Sequence, residues 1–182
     1  MAFYDFMHKI NLRLITVHLI ATFFIILAAR QFAMLNDTGI VESVDKYGLD
    51  EGLKHLVKED NFSTRLAYFS LWINLSSLIG LLLAFIASLI LTIKKKMFWL
   101  NALIVFIMAI LLNRLGLYEN KIIGTIFFSL GDLTSHFGLQ YKFITNGTIL
   151  TLAGLFMFLS KWTNNLALKH QTPPRFVSSQ TE

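Results

Sequence analysis

The sequence predicts an all-α polytopic membrane protein with four transmembrane helices and short amphipathic helices in its outer loops. Three observations carry that reading. Hydrophobic residues make up 55% of the 182 residues and charged ones 15%, whereas a soluble domain is typically about 45–50% apolar and about 25% charged. Mean hydropathy is +0.60. The charges are also not spread evenly, but collect between four long apolar runs.

A helix needs about 20 residues to cross a hydrocarbon core about 30 Å thick. The first run is Leu14 to Leu35, interrupted only by His18 and Arg30. It is longer than a signal-peptide core of about 7–15 residues, and Leu27-Ala28-Ala29 is a poor cleavage site, so an uncleaved helix is expected. The second run, Leu66 to Ile93, carries no charge. At about 1.5 Å per residue it reaches about 42 Å and must tilt or project from the hydrocarbon. The third starts at Met97 and closes on Asn113 and Arg114, and the fourth runs from Phe143 to Ser160 and closes on Lys161 and Trp162. The predicted spans are 14–35, 66–93, 97–115 and 143–162, within a single membrane domain of residues 1–162.

Lys94, Lys95 and Lys96 alone separate the two middle runs. This reads as a helical hairpin whose basic turn stays cytoplasmic. Four spans then put both termini in the cytoplasm of a cell-membrane protein. Lys9 and Arg13 before the first span, and Lys161, Lys169 and Arg175 after the last, agree with that side. Lys plus Arg divides evenly between the two faces, but the inner basics hug the spans and nearly all the acids fall outside.

The outer loops, 36–65 and 116–142, carry helix signals. Asp37-Thr38 opens a run with Ile40, Val41, Val44 and Tyr47 that closes on Gly48, and Asp50-Glu51 opens Leu53, Leu56 and Val57. Such start and stop residues predict two short amphipathic helices. Asn61, Ser63 or Thr64 is expected to cap the second span. From Lys121 to Tyr141, Ile123, Ile126, Phe127, Leu130, Leu133, Phe137 and Tyr141 share one helical face, and Thr125, Ser129, Asp132 and His136 the other. A crossing helix would bury Asp132 at about 2.5–3.5 kcal/mol, so an interfacial or re-entrant helix is expected there. Residues 163–182, with Pro173-Pro174, read as a short disordered cytoplasmic tail.

The absence of cysteine excludes disulfides, thiolate metal sites and Cys nucleophiles. A net charge of +5 and a pI near 9.5 suggest nucleic acid only until the basic residues are located; flanking apolar runs, they belong to membrane topology, and no nucleic-acid partner is expected. Neither metal nor cofactor is expected, because His18 has no second intramembrane histidine to share a haem or metal. No HExxH, GxSxG, P-loop or GxGxxG pattern occurs.

Two constellations stand out. Ser76, Gly80, Ala84 and Ser88 recur every fourth residue, a small-residue face suited to close helix packing within the molecule, against a protein partner or in a homo-oligomer. Arg30, Asn74 and Arg114 are expected at one outer level, with Asn146 beside them and Asp132 and His136 nearby, as a polar site able to hold a lipid phosphate or another anion. The bland alternative is an interhelical hydrogen bond, snorkelling arginines and a surface Asp132–His136 ion pair. The function expected is a non-catalytic accessory or assembly subunit of a larger membrane complex. The alternatives are an oligomeric transporter or channel, and a lipid-binding protein or membrane enzyme with an outward-facing site.

Overall fold

A computed structural model describes residues 10–57, 61–161 and 165. Most of the predicted tail lies outside the described residues, as do Lys9 and the other flanking basics Lys169 and Arg175. Among the described residues the structure is all-helical. Seven α-helices follow in order: α1 (Leu12–Ala33), α2 (Thr38–Tyr47), α3 (Leu49–Val57), α4 (Phe62–Lys94), α5 (Leu100–Arg114), α6 (Lys121–Phe128) and α7 (Leu139–Leu159). Short 3-10 segments cover Met34–Asp37, Leu117–Glu119 and Ser129–Phe137.

Among the described residues, three helices are long and apolar enough to cross a membrane: α1, α4 and α7. The helical run continues through the 3-10 turn at Met34–Asp37 as far as Tyr47, but Asp37 leaves helical geometry (φ −147°, ψ 84°) and caps α2, so the crossing segment is α1. The third predicted span is shorter than expected. Its α-helix covers only Leu100–Arg114, about 22 Å at 1.5 Å per residue, because the chain leaves α4 through a turn that takes in Met97–Trp99.

That turn explains the hairpin. Lys96 adopts the left-handed conformation (φ 56°). Its N–H donates to Ile93 O at 2.9 Å, and Met97 N–H donates to Thr92 O at 3.0 Å. This pair of bonds is a Schellman closure, and it delivers Met97 into contact with Leu14. Asparagines fasten the same end. Asn11 caps α1 by accepting from Leu14 N–H, and Asn11 N–H donates to Asn101 Oδ1 at 2.8 Å.

The core is built around α1, which packs on α4, α5 and α7, while α4 and α7 hardly meet. Ala21, Ile26, Leu27 and Ala28 of α1 are buried. They pack with Leu81 and Ala84 of α4, Ala109 of α5, and Leu150 and Phe158 of α7. Much of the remaining helix surface is exposed and apolar, as at Leu71, Leu83, Leu152 and Phe156.

The predicted first outer loop forms its two helices. Asp37 caps α2 by accepting from Ile40 N–H at 3.3 Å, and Gly48 (φ 79°) ends it. Ile40 and Leu56 bury against Phe62. Asn61 holds the cap position of α4 in a left-handed conformation (φ 71°), but makes no side-chain cap.

The second outer loop differs from the expected single amphipathic helix. The α-helix stops at Phe128 and the chain tightens into 3-10 geometry from Ser129 to Phe137. Three residues per turn no longer keep one face at a 3.6 period. Ile123, Phe127 and Leu130 pack on the main core, whereas Leu133 is 82% exposed and Phe137 66%. Gly131 sets this course. It presses on Lys142 O and Asn146 Oδ1 of α7 so closely that a Cβ there would clash.

Candidate functional site: a pocket at the loop end of α1

The small-residue face of α4 is occupied by α1. A Cβ at Gly80 would stand 3.0 Å from Ala29 Cβ and 3.2 Å from Ile25 O and Ile26 Cα. Ala84 and Ser88 are buried on the same line. Ser76 is only half-buried, and its hydroxyl turns back onto Ile73 O. Its neighbour Ser77 is the buried one. Ser88 Oγ lies 2.8 Å from His18 Nδ1, so the lone intramembrane histidine is a hydrogen-bonded helix contact.

At the far end of α1 a pocket of about 390 Å³ opens between α1 and α6. Arg30 and Gln31 reach it from the last turns of α1, Tyr118 from the 3-10 turn after α5, and Lys121 from the start of α6. Leu27 and Phe127 form part of its apolar lining. Local signals put each group there. Gly116 (φ 71°) lets the chain fold back over α1 after α5. The Tyr118 ring then stacks on Phe23, centroids 5.4 Å apart. Asn120 caps α6 by accepting from Ile122 N–H at 2.9 Å, which starts that helix beside the pocket.

The electrostatics are unbalanced. The Arg30 side chain is 16% exposed, and its carboxylate neighbour, Glu119, is 70% exposed and 3.8 Å away. Such a long pair with a solvated partner is worth little. The Tyr118 hydroxyl is buried and has no hydrogen-bond partner. Burial pushes its phenol up to about 12, with the positive charge of Arg30 working in the opposite direction.

Gln31 ties the pocket to α7. Asn146 Nδ2 donates to Gln31 Oε1 at 3.3 Å and to Phe128 O at 2.9 Å. One fully buried asparagine therefore joins α1, α6 and α7. With its oxygen engaged, Gln31 keeps its NH2 for another acceptor.

The six residues expected at one polar level are not gathered in the pocket, although Asn146 stands behind it on Gln31. Arg30 alone lines the pocket. Arg114 is exposed at the end of α5, and Asn74 is exposed on α4. Asp132 pairs with Lys142 at 2.6 Å, and the Lys142 ammonium also sits over the Phe128 ring, 3.8 Å from its centroid. The exposed His136 instead lies against Phe137, ring centroids 3.9 Å apart. The 3-10 winding is the reason: it brings Asp132 to the start of α7 and away from α1. Sequence reasoning did not find Gln31, Tyr118 or Lys121. Gln31 beside Arg30, at the end of an apolar run, was the available signal.

Among the described residues no cluster of three or more His, Asp or Glu is arranged to hold a metal ion. No protein-family model, curated protein or solved structure matches the chain.

Proposed function

We propose that this is a four-span membrane protein working as a non-catalytic accessory subunit, bound to a larger membrane partner through the open face of α4. Asn74 carries the reading. It lies inside an apolar helix, yet it is exposed, with Leu71 and Leu78 exposed on neighbouring turns. An amide facing lipid is costly, and such residues ordinarily face protein. The small-residue face points away from this surface, into α1, so the partner would meet the side of α4 that carries Asn74.

Four crossings, both termini and the Lys94–Lys96 turn in the cytoplasm, and a cell-membrane location belong to the same proposal. The course of α5 supports the fourth crossing. It starts beside Asn11, and the turn that follows it ends at Phe23 and Arg30. The short helix plus that turn therefore runs along most of α1. Tyr68 and Trp72, both exposed, suit an interfacial aromatic belt just outside Asn74.

A photo-crosslinking residue at Leu71 or Leu78 tests the partner in intact cells. The expected result is a discrete adduct with a different, larger membrane protein, weakened by Asn74→Leu and absent with the probe at Ile110. Self-adducts alone, or lipid adducts alone, would overturn the accessory reading.

A further inference from the structure

We propose that the pocket formed by Arg30, Gln31, Tyr118 and Lys121 binds the phosphodiester of an anionic membrane glycerolipid. Two independent observations point to a ligand there. A guanidinium with little solvent contact has only a distant, solvated carboxylate beside it. Tyr118 lines the same pocket, and its hydroxyl is buried with nothing to bond. An unmet buried donor costs about 1–3 kcal/mol, and one acceptor oxygen from a ligand would satisfy it.

Phosphate chemistry fits the donor set. Arg30 offers a planar fork suited to two oxygens of one phosphate. The free NH2 of Gln31 and the Tyr118 hydroxyl are neutral donors. Lys121 is exposed at the rim, where it adds charge with less positional demand. The two charged lining groups, Arg30 and Lys121, are donors only, which disfavours a cationic ligand.

The apolar lining selects a lipid over a free anion. Leu27, Ile123, Phe127 and Phe128 line the pocket together with the polar groups. A glycerolipid would lay its first acyl carbons on this lining while its phosphate meets the cationic side. The height agrees with an interface. Arg30 lies 18 residues beyond Leu12, so about 27 Å along α1, close to the full thickness of a hydrocarbon core. The inference rests on the membrane reading and is independent of any partner on α4.

The test is native mass spectrometry and thermal unfolding of the full chain in detergent, titrated with phosphatidylglycerol, phosphatidylcholine or inorganic phosphate. Phosphatidylglycerol is expected to bind as a discrete adduct and to raise the midpoint, with phosphatidylcholine binding at least tenfold more weakly. Arg30→Gln should lose about tenfold in phosphatidylglycerol affinity, and Arg114→Gln, off the pocket, should lose nothing. Tyr118→Phe gives the reading that a merely structural role would not. It should be neutral or stabilising without lipid, because it deletes an unmet hydroxyl, yet it should weaken phosphatidylglycerol binding. If Arg30→Gln fails to fold, Arg30→Lys keeps the charge and loses the fork, and should still bind more weakly. Equal binding of the two lipids, unchanged affinity in Arg30→Gln and Tyr118→Phe, or a response to inorganic phosphate with no gain from the glycerolipid would each overturn the proposal.

Discussion

His18 and Ser88 are 70 residues apart in sequence and 2.8 Å apart in the fold. Both are essentially excluded from solvent, so each is the other's answer to the cost of a polar group inside apolar surroundings. Side-chain bonds between membrane helices are worth about 0.6–2 kcal/mol. Ser88→Ala should therefore lower stability in detergent by about 1 kcal/mol, and a His18→Ala/Ser88→Ala double-mutant cycle should return a coupling of that size. A coupling of zero would mean the contact contributes no energy. Gly80 poses the opposite problem, since the atoms nearest a new side chain include Ile25 O and Ile26 Cα of the α1 backbone, which cannot rotate away. Gly80→Leu should cost about 1–3 kcal/mol of overpacking, read as a lower thermal midpoint. An unchanged midpoint would place that face against lipid. The spacing of Gly80, Ala84 and Ser88 was legible in the sequence. The identity of the helix they meet was not, because a stripe of small residues describes one surface and leaves the opposing one open.

Asp37 does two jobs for the α2–α3 pair. One oxygen accepts from Ile40 N–H to cap α2, and both accept from Arg65 of α4, at 2.9 and 3.0 Å. The Arg65 hydrogen bonds, more than any other influence, hold the Asp37 carboxyl below its ordinary value. An unfolded aspartate titrates near about 3.9, so the contribution is complete at neutral pH and is lost as acid passes through the lowered folded value. Protection of the Ile40 amide from hydrogen exchange, relative to its intrinsic rate, should therefore hold down to about pH 4 and fall below it. Asp37→Asn keeps an acceptor for the cap but loses the ion pair. It should cost under about 1 kcal/mol, since Arg65 is partly exposed, and should abolish the acid response. An acid response that survives in Asp37→Asn would assign it to another group. The start and stop residues of α2 were readable because capping is local. Residues 121–141 depart from one continuous helical face because their 3-10 winding answers to Gly131 closing on α7, and no local pattern announces a contact made across the fold.

At the scale of the molecule, long apolar runs made the first, second and fourth segments plain, whereas the third forms a helix shorter than the three that are long enough to cross. Single cysteines can be placed freely on this cysteine-free chain. With four crossings, a cysteine at Lys95 should resist an impermeant thiol reagent in intact cells, while one at Tyr47 should react. Labelling at both would mean that α4, the helix between them, does not cross, and a cysteine at Asn120 that resists the reagent as Lys95 does would leave α5 as a helix that does not cross. The assembly of elements was not readable in the same way, since α1 touches nearly everything and nothing in its composition says so. That arrangement has a bearing on biogenesis. The helix that the others depend on is translated before all of them. While α4 is being threaded into the bilayer, one side of α1 has no protein to rest on, and the Gln31 amide waits for Asn146 on a segment still inside the ribosome. A chain stalled before α7 would thus hold inserted helices with an exposed amide and an open groove, the kind of surface that membrane chaperones hold and quality-control proteases cut.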